Sequence, residues 1–216
     1  MTAIYIHIPY CRSKCPYCDF ASVPVDESVD AYLRALAREV ACVSEAIPPA
    51  ETVYIGGGTP TVLTPKQICR LFEGLRERLE ISPLAEITIE ANPCSLSATK
   101  ARLLASNGVN RVSLGAQSFV DSELSFLGRS HGVEDILHSF RWLREAGMDN
   151  VNLDLIYAIP IQYAENWRYS LAQAIDLKPE HISTYCLTFE PPTPLWQLSQ
   201  GGKIKRKTDE EEVEFS

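Results

Sequence analysis

"AIYIHIPYCRSKCPYCDF", Ala3 to Phe20, runs from an apolar stretch straight into three cysteines packed within eight residues. Ala3–Ile8 is rich in β-branched and aromatic residues and reads as a strand. Cys11, Cys15 and Cys18 follow at C-x3-C-x2-C spacing on the loop it opens into. Structural zinc takes four protein ligands, usually from two paired knuckles. Here no second C-x2-C exists, His7 lies on the strand, His131 is distant, and Phe20 stands where a fourth loop cysteine would sit. Thiolates are the usual ligands of iron–sulfur clusters. A [4Fe–4S] cube held by three of them leaves one iron open to a small molecule, so the loop is expected to build a reactive site.

Outward from this stretch the β-rich runs recur as Thr52–Ile55, Glu86–Glu90, Arg111–Gly115, Val151–Tyr157 and His181–Phe189, with helical patterns between them. "TPKQ" places Thr64 at an N-cap, Pro65 in the first turn and Gln67 at the capping-box position. Ser97 caps a helix that ends at Asn107 and Gly108, and Gly147 ends the one bearing Ile136, Leu137, Phe140 and Leu143. Further amphipathic helices start at Asp30 and Asn166. Strands alternating with helices, without short hairpin turns, imply an α/β fold with a parallel sheet and right-handed crossovers. A barrel-like and an open doubly wound sheet both fit. In either, chemistry sits at the carboxyl ends of the strands. Cys11–Cys18, Gly56–Thr59, Asn92–Cys94 and Gln117 follow the first four strands there, and Asp154 interrupts the fifth.

The composition narrows the class. With 216 residues, 45% of them hydrophobic, the chain can bury one substantial core. No apolar run reaches the ~20 residues of a membrane span, and the start has no signal-peptide pattern. Seven cysteines, an odd count, fit reduced thiols in a cytoplasm. Cys42, Cys69 and Cys186 read as small hydrophobes and Cys94 as a loop residue. His131 and His138 read as structural or solvated. A net charge of −8 argues against nucleic acid, and the basic run Lys203–Lys207 precedes an acidic one and reads as solvated surface. Thr208 with Glu211 opens a last helix that stops within about two turns. Residues 1–200 are therefore expected to form the core domain, and 201–216 the start of a C-terminal region continuing in a longer protein.

The cysteine spacing after a first strand, with Tyr17 before the last cysteine, resembles the radical S-adenosylmethionine superfamily. "YIHIPYC", "YCDF", "GGGTPT", "IEANP", "LGAQSF", "LGRSH" and "DLIYAIP" resemble one branch of it, the anaerobic coproporphyrinogen III dehydrogenases and the HemW heme chaperones. The resemblance implies a partial TIM-like (β/α)6 barrel. It also implies a [4Fe–4S] cluster on Cys11, Cys15 and Cys18, whose open iron binds the amino and carboxylate groups of S-adenosylmethionine. An electron donor then reduces the cluster, and the cofactor yields a 5′-deoxyadenosyl radical.

By the same resemblance Tyr5, Tyr17, Gly57, Gly58, Thr59, Glu90, Gln117, Arg129 and Asp154 are cofactor contacts. Read as chemistry, "GGGTP" is neither a Walker loop nor a G-x-G-x-x-G fingerprint, but its glycines let backbone approach a ligand, and a side chain at Gly58 should exclude that ligand. Arg129 offers a planar fork to a carboxylate. Asp154, inside an apolar strand, needs partners, either ribose hydroxyls or structural hydrogen bonds. Tyr5 alternates with Ile4 and Ile6 and so leaves their face.

Two departures matter. Ala158 and Ile161 stand where family members usually carry glycine, which implies a differently shaped loop. Phe20 stands where the dehydrogenase branch carries a cysteine. The reading is accordingly a heme chaperone that binds heme and passes it to an acceptor protein. The alternatives are oxidative decarboxylation of coproporphyrinogen III, a radical enzyme acting on RNA, and a zinc module.

Overall fold

The computed structural model describes residues 2–215. Its main sheet has six strands: β1 (Ala3–Ile8), β2 (Ala50–Gly57), β3 (Ile81–Ala91), β4 (Arg111–Gln117), β5 (Val151–Tyr157) and β6 (His181–Cys186). They stand in sequence order, each parallel to the next. This is the α/β architecture expected from the alternating runs. Ile55 is level with Ile6 on one side and Ile89 on the other, and Ile89 with Val112, so the apolar faces line up across the sheet. β4 and β5 are buried almost throughout, as parallel strands covered on both sides are.

The helices are α1 (Val29–Val43), α2 (Pro65–Arg76), α3 (Ala98–Ser106), α4 (Asp121–Phe126), α5 (Val133–Glu145), α6 (Ala164–Asp176), α7 (Pro194–Gln200) and α8 (Asp209–Val213). The local signals hold. Thr64 and Gln67 close a full capping box on α2, Thr208 and Glu211 another on α8, and the Ser97 side chain accepts the Lys100 N–H at the start of α3. Leu33, Ile68, Leu71, Leu104, Ile136 and Leu143 bring α1, α2, α3 and α5 into the core with the sheet.

Four expectations need correction. The last strand ends at Cys186, three residues before Phe189. α4 and α7 were not foreseen, since six or seven residues are too few to show a helical period. Thr193 and Pro194 do form a readable cap for α7. Cys42 is exposed, not a core residue, and Cys69 and Cys186 are only half-buried. The basic run is partly fastened: Arg206 donates to the Phe189 carbonyl at 3.0 Å and lies over its ring at 4.5 Å. α8 is followed by Phe215, which is buried and stacks on Tyr157 at 6.5 Å.

Candidate functional site

The cysteine loop is tied at both ends. Tyr10–Cys11 forms a short parallel ladder with Val23–Pro24, through Val23 N–H to the Pro9 carbonyl at 2.7 Å and Val25 N–H to the Cys11 carbonyl at 2.8 Å. The β2 end grips it from the side. Gly58 N–H donates to the Ile8 carbonyl and Thr59 N–H to the Tyr10 carbonyl, each at 2.8 Å. A Cβ on Gly58 would stand 2.7 Å from that Tyr10 oxygen. The bareness of Gly58 therefore admits the backbone of the loop itself. Gly57 has φ +111, a Cβ on it would meet the His7 ring at 2.5 Å, and its N–H donates to Glu90 Oε2 at 3.1 Å.

Above the strand ends lies a cavity of about 510 Å³. Cys11, Cys15 and Cys18 line one part of its wall, and Tyr17, Gly58, Thr59, Glu90, Gln117, Arg129 and Asp154 line others. Tyr5 and Gly57 are not on the wall. Tyr5 is 59% exposed, bonds His7 Nδ1 at 3.1 Å and stacks on Tyr54 at 6.0 Å. Tyr54 does line the cavity and donates to Glu90 Oε1 at 2.8 Å. Gly57 acts one layer below, holding the other oxygen of the same carboxylate.

Arg129 joins the loop to the sheet. Its Nη1 donates to Cys15 Sγ at 3.6 Å and Tyr17 Oη at 3.4 Å, and its Nη2 to the Gly115 carbonyl at 3.1 Å. Its Nε is buried and has no partner among the described residues. Burial works against its charge, yet the neighbouring Tyr17 and Cys15 hold its pKa above the ordinary value. Burial drives the Tyr17 phenol far up, so it stays neutral and able to donate. Burial also raises the Cys18 thiol, against a lowering by the Phe20 backbone N–H. Cys11 Sγ lies 3.4 Å from Thr59 Oγ1.

The two carboxylates sit deeper. Burial raises the pKa of Glu90, and the bonds from Tyr54 and Gly57 pull the other way. Burial raises that of Asp154 as well, opposed by bonds from Ser113 at 2.9 Å and Asn152 at 2.8 Å. Asp154 thus has structural partners on β4 and β5 and still faces the cavity.

Several contributors lie outside the residues singled out from sequence. β4 carries a bulge, with Gly115 and Ala116 between Leu114 and Gln117 facing the single residue Asp154 between Leu153 and Leu155, and Gln117 there has φ +71. The bulge re-aims this one side chain at the carboxyl end of the sheet. A Cβ on Gly115 would lie 2.8 Å from Gln117 Nε2 and 3.3 Å from Arg129 Nη2, so the missing side chain lets both polar groups settle there. Gly128, with φ +67, gives room to Pro16 in the same way. "LGAQSF" held one signal, since a glycine inside a strand pattern marks a bulge or close approach, and "LGRSH" another, since Gly128 stands just past the end of α4 where a left-handed glycine closes a helix. His131 is buried between Asn92 Oδ1 and the Ala116 carbonyl, and burial with Arg129 nearby lowers its pKa to about 4.

Among the described residues no three histidine, cysteine or acidic side chains converge closely enough for a single metal ion. A cluster that gives each thiolate its own iron needs its sulfurs farther apart than one shared ion does. Three thiols on one wall, with a guanidinium between Cys15 and the sheet and an unpartnered buried Nε, suit an anionic iron–thiolate group. The donors fit such a cluster.

The family model "Radical SAM superfamily" matches residues 5–172. The heme chaperone HemW of Bacillus subtilis (strain 168) is 39% identical, over 100% of this chain and 58% of that protein. HemW of Escherichia coli (strain K12) is 41% identical, over 88% of this chain and 52% of its own length. Among solved structures, coproporphyrinogen III oxidase (HemN) from Escherichia coli superposes with a TM-score of 0.88 at 28% identity, over 99% of this chain and 50% of that one. Methylornithine synthase superposes with a TM-score of 0.67 at 15% identity, a likeness of fold alone. The chain spans about half the length of the curated relatives it matches.

Proposed function

The chain belongs to the radical S-adenosylmethionine superfamily, and from that premise we propose that it is the core of a heme chaperone. In this reading Cys11, Cys15 and Cys18 hold a [4Fe–4S] cluster and S-adenosylmethionine occupies the cavity. The bound cluster supplies single-electron chemistry at the sulfonium. The protein's own part is positional. Arg129 offers its unpartnered Nε to an anionic group beside the thiols. Glu90 and Asp154, already hydrogen-bonded from behind, accept from ligand hydroxyl or amine groups, and Gln117 contributes an amide. Thr59 and Tyr17 complete the wall against water. In this reading residues 1–200 make up the core and residues 201–216 begin a separate C-terminal region.

The observation that carries the chaperone reading is the wall at position 20. Phe20 lines the cavity beside the three cluster thiols, 65% exposed, so no thiol stands at position 20; the other cysteine on the wall, Cys186, comes from the end of β6 and not from the cysteine loop. An apolar ring cannot supply the redox or acid–base chemistry of a thiol. The cargo is then heme, the partners are an acceptor protein and an electron donor for the cluster, and the compartment is the cytoplasm. No helix among the described residues is long and apolar enough to cross a membrane. The close superposition on coproporphyrinogen III oxidase favours a second reading, decarboxylation of that substrate, because one scaffold can serve both functions.

Anaerobically reconstituted protein separates the two. The chaperone reading expects bound iron and sulfide, a Soret shift on titration with heme, and no consumption of coproporphyrinogen III. Turnover of coproporphyrinogen with methionine released in step would establish the second reading instead. Stoichiometric zinc without iron or sulfide would remove both.

A further inference from the structure

Glu123 is completely buried, on the short helix α4, and lies outside the cavity wall. One oxygen of its carboxylate, Oε2, accepts both the Ser118 hydroxyl at 2.7 Å and the Gln162 amide at 2.9 Å. Ser118 directly follows Gln117, the cavity residue held at φ +71. Gln162 lies in the loop between β5 and α6, a loop that begins at Ala158 with φ +58. The residues Ser118, Gln162 and Ser170 are themselves fully buried. Ser170, on α6, bonds the Ser118 hydroxyl at 3.3 Å and accepts the Phe119 N–H at 3.1 Å. Ser118 Oγ also accepts the Val120 N–H at 3.0 Å.

We infer that Glu123 is a positioning residue for the cofactor cavity, acting through Ser118 to hold Gln117 in its left-handed conformation. A non-glycine residue at positive φ costs about 1–2 kcal/mol, so Gln117 stays there only while its surroundings over-determine it. The bulge on β4 supplies one side of that constraint and the buried carboxylate supplies the other. The same helix reaches the opposite cavity residue: Leu127 N–H donates to the Glu123 carbonyl at 2.9 Å, and Arg129 N–H to the Leu124 carbonyl at 2.9 Å. Gln117 before the helix and Arg129 after it are thus referred to one buried anchor, and both side chains settle against Gly115. The inference rests on the proposed cofactor occupying this cavity.

The variants follow from the bonding. Both side-chain bonds end on a single oxygen, so Glu123→Gln keeps them and should bind S-adenosylmethionine within about twofold of wild type. Glu123→Leu keeps the volume and removes the acceptor, and should weaken binding about tenfold by calorimetry on reconstituted protein. In a Gln117→Ala background the same Glu123→Leu change should weaken it no further, because residues acting through one another are not additive. An unchanged affinity in Glu123→Leu, or an equal loss in both backgrounds, would overturn the inference. Should Glu123→Leu not fold, Ser118→Ala is read in the same two backgrounds. If wild type binds no S-adenosylmethionine, the proposed function fails, and crystal structures of wild type and Ser118→Ala still decide the positioning. Gln117 at positive φ in both would refute it, and its departure in the variant would support it.

Discussion

Gly128 and Pro16 meet where no side chain can be inserted: a Cβ on Gly128 would stand 2.5 Å from Pro16 Cδ. Pro16 lies between Cys15 and Cys18, and Gly128 precedes Arg129. The contact sets the height of the cysteine loop over the sheet and thereby the reach of Arg129 to Cys15. Leu195 N–H holds the same loop from α7, through the Pro16 carbonyl at 2.9 Å.

Gly128→Ala should therefore fail on two grounds. Its φ of +67 costs a residue with a side chain about 1–2 kcal/mol, and the new methyl overlaps the proline ring. We expect a lower melting temperature together with reduced iron and sulfide after reconstitution. Wild-type values of both would show that the loop can shift without consequence.

Arg129→Lys keeps a charge and loses the fork that spans Cys15, Tyr17 and the Gly115 carbonyl. Cluster content should stay near wild type, because the cysteines supply the ligands. Affinity for S-adenosylmethionine should fall about tenfold or more, since hydrogen bonds to charged groups contribute about 1.5–3 kcal/mol. Iron analysis and calorimetry on the same sample separate these effects.

His131 makes stability depend on pH in a defined window. Its pKa falls from 6.5 to about 4, chiefly through burial. The unfolded chain binds the extra proton between these values and the folded chain does not. Stability is thus full above about 6.5 and is lost as pH falls toward 4, by about 3 kcal/mol in all. Glu90 and Asp154, with raised values, contribute in the opposite sense, becoming more favourable as pH falls. Urea midpoints for wild type and His131→Gln at pH 7 and pH 5 isolate the histidine. Wild type should lose more on acidification than the variant; equal losses would contradict the assignment.

Ala158→Gly should stabilise the protein. Ala158 is buried at φ +58, a conformation glycine adopts without the Cβ penalty. Set against the greater freedom of glycine in the unfolded chain, the net gain is about 0.5–1 kcal/mol. A rise of a few degrees in melting temperature checks it.

What could be read from sequence was local. Ala3–Ile8 and Val151–Tyr157 match their strands residue for residue, and Thr64, Ser97 and Thr208 cap the helices their neighbours announce. Strand runs, caps and the spacing of Cys11, Cys15 and Cys18 involve atoms a few residues apart, so the chain encodes them where they stand. The departure at Ala158 was visible too, although the left-handed backbone behind it was not.

Tertiary structure decided what depends on distant partners. Nothing near Gly58 tells that its missing side chain makes way for Tyr10. Nothing near Tyr5 tells that it stacks on Tyr54 and leaves the cavity wall to the latter. Gln117 owes its conformation to a bulge against β5 and to a bond ending on Glu123. α4 is too short to announce itself by periodicity, and Pro16 meets Gly128 only once the sheet has closed the distance between them. Local sequence sets backbone preference through sterics and nearby hydrogen bonds. The exclusion of one side chain by another, and the burial that shifts Glu90, Asp154 and His131, arise only when remote segments occupy the same volume.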